Sequence, residues 1–327
     1  QSPLSYIRQT NLKIMTRPIM PYVNKSLLNR HNIDSLILAS MSKKSIEYKA
    51  FGPLLDNSHE RLVSCNSIFQ IASISKLLTS CIVLRLHKQC LIDLYCPYQV
   101  CSESDPRCFT LSELLQHRSG IVNDMGYSGF SANDSIRQLP DPLEIELNKH
   151  YHSECCSTYH YCGINYRAIQ RILENQLNVS FEDLLCEMIC IPLQMYNTTS
   201  SVSKLDQALT IHGFNQYGKV LDGGWNLFTG CEAAAGIWSS ASDLCKLVKA
   251  LLKSSIDSER DFFDITWRDL VNTKLSGNYR YGCFVESTIS SLRIGHSGRN
   301  PGYQSMLWFN PRNHTGEVTL WNDDKSP

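Results

Sequence analysis

The densest apolar stretch of the chain runs from Ser67 to His87. Ile68, Phe69 and Ile71 form a short run, and Ile74, Leu77, Leu78, Cys81, Ile82 and Leu84 follow at helical spacing. A helix apolar on most of its sides is a buried helix. Ser73, Lys76, Thr79 and Ser80 interrupt it at intervals of three and four, which places them in one narrow polar stripe. Buried polar groups are costly unless paired, so this stripe must line a cleft or meet partners.

Around this segment the pattern predicts other elements in turn. Residues 18–32 carry an amphipathic helical pattern. Residues 35–41 and 45–51 read as two strands of a hairpin turning at 42–44, and 53–66 as loop. Thr110 and Glu113 form a capping box that opens a short helix, carried through Leu114 and Leu115 to a stop at Gly120. Residues 161–177 and 181–189 read as helices, the first with Tyr166, Ile169, Ile172 and Leu173 inward. Ser240 and Asp243 form a second capping box ahead of a helix that buries Leu244, Leu247, Val248 and Leu251. Strands follow at 279–286, 291–296, 303–309 and 317–321, separated by turns that hold Gly298, Pro301, Gly302 and Pro311. Strands near both ends and helices between them predict an α/β (α+β) fold. One antiparallel sheet draws on both ends of the sequence, and a mostly helical domain is inserted between them. The expected division is 1–85 and 229–327 for the sheet-bearing domain and 86–228 for the helical one.

Composition adds exclusions. The 327 residues are 43% hydrophobic and 19% charged, with 31 basic and 31 acidic side chains. No basic patch points to nucleic acid, and no apolar run approaches the ~20 residues of a membrane span. Fourteen cysteines lack the Cys-x-x-Cys pairs of zinc or thioredoxin-like sites. Those at 90, 96, 101 and 108 and those at 155, 156 and 162 fall in two groups, compatible with disulfides or with buried thiols. A metal site at 155–162 is a third, weaker possibility. Asn-x-Ser/Thr occurs at Asn24, Asn133, Asn178, Asn197 and Asn313. The sequence starts at Gln1, not Met, which suggests a removed leader.

Candidate chemistry starts at Ser73. It stands where the buried helix begins, and free backbone N–H groups there favour developing negative charge. Lys76 lies one turn on, and a lysine in a dry site can accept a proton. The same residues also read as an N-cap and a snorkelling lysine, and Ser-x-x-Lys recurs at Ser40/Lys43 and Ser201/Lys204.

Five segments in order resemble the serine β-lactamase and penicillin-binding superfamily, in particular its class C β-lactamase-related branch. They are Phe69-Gln-Ile-Ala-Ser-Ile-Ser-Lys76, Leu114-Leu-Gln-His-Arg-Ser-Gly-Ile121, Tyr161-Cys-Gly-Ile-Asn-Tyr166, Ala234-Ala-Gly-Ile-Trp-Ser-Ser-Ala-Ser-Asp243 and His296-Ser-Gly-Arg-Asn-Pro-Gly-Tyr303. That branch includes D-Ala-D-Ala carboxypeptidases, D-aminopeptidases and family VIII-type esterases. The resemblance implies Ser73 as acylated nucleophile, Lys76 as its partner, and Tyr161 sharing general-base work, with Lys76 easing the proton off the phenol. Tyr159 is a rival for that role. It implies backbone N–H groups of Ser73 and Arg299 as an oxyanion hole, and His296, Ser297 and Gly298 as the substrate-binding strand. His117 has no catalytic part in this reading; its motif is a structural helix end.

Gly163 departs from the family pattern. It stands where the superfamily has an asparagine that helps bind substrate carbonyl and active-site lysine. The implied function is a metal-free and cofactor-free serine hydrolase cleaving an amide or ester of a small molecule or peptide. Peptidase or esterase activity is preferred over β-lactam turnover. The alternative is a catalytically impaired homologue that binds a ligand or partner. A secreted or periplasmic location is favoured by the start residue, the cysteines and family habit. The family's usual C-terminal helix is not recognised after 323.

Overall fold

The computed structural model describes residues 34–56, 59–101, 106–122, 130–131, 143–215, 217–227, 230–253, 262–274 and 277–323. The amphipathic pattern at 18–32 lies outside them.

Six strands form the main antiparallel sheet. In chain order they are β1 (Leu36–Met41), β2 (Ile46–Phe51), β3 (Phe284–Ser287), β4 (Leu292–Asn300), β5 (Tyr303–Asn310) and β6 (Thr315–Trp321). Their spatial order is β3-β4-β5-β6-β1-β2. Both predicted groups of strands therefore belong to one sheet, joined where β1 pairs with β6 with Leu36 opposite Trp321 and Met41 opposite Gly316. Asn322 clamps this seam: its Oδ1 accepts the Ser35 N–H at 2.7 Å, and its own N–H donates to the Ser35 carbonyl. This is the arrangement expected from the sequence, one antiparallel sheet drawn from both ends of the chain with helices between.

Helix α1 (Ser75–Lys88) is buried from Ser75 to Leu86. It follows a single tight turn, Ala72–Ile74, that contains Ser73. Helix α4 (Ala241–Leu251) lies against β1 and β6, with Val248 beside Gly316. Between them in the chain come α2 (Leu111–Leu115) and α3 (Gly163–Leu177). The inward residues expected on α3, Tyr166, Ile169, Ile172 and Leu173, are all fully buried.

Several local expectations are corrected. Residues 53–62 are not plain loop: Pro53–Asp56 and His59–Leu62 pair as a small hairpin. Helix α2 ends five residues before Gly120, because His117 itself takes the left-handed conformation at φ 55°. Residues 119–121 then pair with the strand Tyr151–Cys156. At α4 only half of the capping box forms. Ser240 Oγ accepts the Asp243 N–H, but the Asp243 carboxylate turns to Asn197, Thr198 and Lys246. Tyr161 precedes its helix instead of opening it. All fourteen cysteines carry free thiols, six of them buried. Among the described residues no three His, Cys, Asp or Glu side chains gather to hold a metal ion, and no helix is long and apolar enough to cross a membrane.

Candidate active site

The turn before α1 sets the site. Ala72 is buried with φ 47°, a left-handed conformation that side chains other than glycine rarely adopt. That turn swings Ser73 out of the core, so Ser73 alone between Ile71 and Leu86 is not buried. The polar stripe on α1 meets partners on the segment Glu232–Gly236. Thr79 Oγ1 donates to the Ala233 carbonyl at 2.8 Å, and Lys76 Nζ donates to the Ala234 carbonyl at 2.8 Å. Ser80 Oγ turns back to the Lys76 carbonyl.

Lys76 Nζ is also 3.0 Å from Ser73 Oγ. The side chain is 2% exposed, and burial pulls its pKa down to about 7. An amine near that value is half unprotonated at neutral pH and can take the Ser73 proton. Tyr161 stands nearby, with its ring centroid 5.1 Å from Lys76 Nζ and its hydroxyl close enough to Ser73 to be influenced by it. As a whole residue Tyr161 is 37% exposed, yet its hydroxyl end sits between Ser73 and His296. Burial of that end pushes the phenol up, which outweighs the opposing influence of Ser73. Burial thus keeps the phenol protonated, against the easier ionisation beside Lys76 that the sequence led us to expect. The rival Tyr159 packs its ring on Tyr279 and His117.

Strand β4 forms the facing wall. Its two-residue turn at Pro301-Gly302 makes Asn300 and Tyr303 a hydrogen-bonded pair, and the pairs alternate from there. Ser297 and Arg299 fall in the non-bonded class, so their backbone N–H and carbonyl groups point away from β5. Gly295 is in the same class and faces β3, where it pairs with Phe284. Beyond Gly295 strand β3 has ended, so the Ser297 and Arg299 groups point along the outer edge of β4. That edge meets Ser73. A Cβ on Gly298 would lie 2.7 Å from the Ser73 nitrogen and 2.6 Å from the Ile71 oxygen. Only glycine admits so close an approach of β4 to the turn that carries Ser73.

His296 is 2% exposed, and burial together with Lys76 lowers it to about 3, so it is neutral at physiological pH. Its Nδ1 donates to the Ser297 carbonyl, and its Nε2 faces the hydroxyls of Tyr161 and Tyr279 at 3.4 Å each. Gly163 is the first residue of α3. The nearest asparagine, Asn165, is buried and committed to His117, Ser119 and the Cys162 carbonyl. The carbonyl of Ala234 is the second partner of Lys76.

Two residues here were not legible as site residues. His117 accepts the Cys162 N–H and an Asn165 N–H on Nδ1, each at 3.2 Å, and its ring lies 4.4 Å from that of Tyr161. It underpins the segment that carries Tyr161. The Leu114–Ile121 motif pointed at it, but not at this contact. Tyr279, 3% exposed, was visible only as a strand tyrosine.

The sequence profile described as Beta-lactamase matches residues 25–327. The chain belongs to the beta-lactamase family. That places it among the serine β-lactamase-type hydrolases, with penicillin-binding-protein relatives. Penicillin-binding protein 4* of Bacillus subtilis (strain 168) is 22% identical over 318 residues, covering 86% of this chain and 66% of that protein. The chain thus spans just under two thirds of the length of this relative. D-amino acid amidase from Ochrobactrum anthropi SV3, solved with D-phenylalanine, superposes with TM-score 0.72 at 18% identity, over 90% of this chain and 88% of the amidase. A β-lactamase/D-alanine carboxypeptidase from Pseudomonas syringae superposes with TM-score 0.74 at 15% identity, over 92% of each chain. At such identities these structures establish the shared fold.

Proposed function

We propose that this family member is a serine hydrolase that cleaves an amide or ester bond through an acyl-enzyme on Ser73. The observation that carries the reading is the 3.0 Å approach of a buried, near-neutral Lys76 amine to the Ser73 hydroxyl. The amine takes the hydroxyl proton as Oγ attacks, the N–H groups of Ser73 and Arg299 receive the developing oxyanion, and Tyr161 supplies a proton to the departing group. Substrate lies between the sheet-bearing part (1–85 and 229–327) and the helical part (86–228), along the edge of β4. His296, Ser297 and Gly298 in place of a lysine-containing strand, and Gly163 in place of the asparagine, favour a peptidase or esterase over a β-lactamase.

A fluorescent fluorophosphonate tests this directly. The wild-type chain is expected to label and Ser73→Ala to lose the label. Gly163 favours one second reading, a homologue that binds its ligand without turnover. A wild-type chain that resists both the fluorophosphonate and a fluorescent penicillin would leave that reading in place of ours.

A further inference from the structure

Among the described residues no carboxylate pairs with the Lys76 amine. Its Nζ donates to Ser73 Oγ at 3.0 Å and to the Ala234 carbonyl at 2.8 Å, both uncharged. The titratable groups that face it are Tyr161, Cys162 and Tyr166 around the start of α3, Cys231 ahead of 232–236, His117 just past α2 and His296 on β4. Burial holds all of them uncharged at neutral pH. It raises both phenols, pushes the thiols of Cys162 and Cys231 up to about 11 and about 12, lowers His117 and takes His296 to about 3.

Two aromatic faces complete the surroundings of the amine. Nζ lies 5.1 Å from the Tyr161 ring centroid and 5.6 Å from that of Tyr166. Both are within the ~6 Å over which the electron-rich face of a ring attracts a cation, and the attraction grows where water is excluded. Tyr166 is fully buried, and its hydroxyl donates to the Leu115 carbonyl at 3.0 Å, which anchors the ring at its far end. Gly163, between the two tyrosines in sequence, has no side chain to offer the amine.

We infer that Tyr166 is a positioning residue whose ring face stabilises the ammonium that Lys76 becomes when it takes the Ser73 proton. The inference rests on the acyl-enzyme reading of Ser73. In that reaction the Ser73 O–H bond breaks as the Oγ–C bond forms. The proton goes to the Nζ lone pair, and the carbonyl electron pair moves to the substrate oxygen. The amine passes from neutral to positive with no carboxylate beside it. A ring face attracts the ammonium far more than the free amine, so it favours the end of the transfer over its start. Burial still lowers the amine, and the ring faces oppose part of that cost. The Tyr166 hydroxyl, turned to Leu115, has no share in the effect.

The pH profile of fluorophosphonate labelling reads the inference, because only the free amine promotes attack. Tyr166→Phe keeps the ring face. Tyr166→3,4,5-trifluorophenylalanine keeps the ring shape and draws electrons from the face. The trifluoro variant should label with a midpoint about 0.5–1.5 pH units below that of the wild type, because a less stabilised ammonium sheds its proton at lower pH. Its plateau rate should fall about two- to fivefold, because a weaker base takes the proton less readily. Tyr166→Phe should move the midpoint by less than half as much. The midpoint belongs to the reactive molecules alone, so loss of folded protein does not move it. A trifluoro midpoint that stays in place or rises, or a Tyr166→Phe midpoint that falls equally far, would overturn the inference. A wild-type chain that takes no label at any pH would overturn the acyl-enzyme reading itself, and the inference with it.

Discussion

Lys76 is held by two uncharged oxygens, Ser73 Oγ and the Ala234 carbonyl, and burial is the largest influence on its charge. Burial disfavours the ammonium, so the amine stays protonated below about pH 7 and is free above it. Only the free amine can take the Ser73 proton. Fluorophosphonate labelling should therefore speed up as pH rises through about 7, whereas His296, lowered to about 3, is neutral throughout and adds no limb of its own. Lys76→Arg keeps a charge but cannot shed a proton, and should slow labelling on the order of a hundredfold or more at pH 8. A flat pH profile, or an arginine variant that labels at the wild-type rate, would remove Lys76 as the base. Gly298 makes a steric prediction at the same scale. The Cβ of Gly298→Ala would collide with Ser73 N and Ile71 O, both backbone atoms. The alanine variant should lose labelling while remaining folded by circular dichroism, and retained labelling would show that the wall can yield.

At the level of elements, capping chemistry was the most legible part of the sequence and side-chain partnership the least. The Thr110/Glu113 box forms as read, with Thr110 Oγ1 accepting the Glu113 N–H and the Glu113 carboxylate accepting the Thr110 N–H. Thr110→Ala should lower unfolding stability by about 1 kcal/mol in urea, and an unchanged midpoint would mean that tertiary packing alone holds α2. The boxes and periodicities are local, within four residues, so a single sequence contains them. The half-formed box at Ser240 shows the limit: Asp243 was drawn away by Asn197 and Thr198, forty-odd positions distant. The helix stop at His117 escaped for the same reason. A non-glycine residue holds φ 55° there because its imidazole is fixed from outside by Cys162 and Asn165. The Ser73–Lys76 pair was legible because its members lie one turn apart on one helix. Tyr279 was not, because it reaches His296 only through the fold of the β3–β4 region.

The whole molecule depends on the seam between β1 and β6. Ser35 and Asn322 are 287 positions apart in sequence, and their buried hydrogen bonds lie at the end of that seam. Asn322→Ala leaves the Ser35 N–H buried without its side-chain acceptor, and should lower stability by about 1–3 kcal/mol, read as a shift in the urea midpoint. An effect near zero would show that the strand ladder is enough. The seam also constrains synthesis. The β1–β2 hairpin leaves the ribosome early, but its other edge stays bare until residues 315–321 have been made. Throughout translation the nascent chain thus presents an apolar strand with open hydrogen-bonding groups, an invitation to mispairing between neighbouring polysomal chains. A stop codon anywhere before Thr315 would make that exposure permanent, so products that lack residues 315–321 should aggregate instead of folding into smaller working versions.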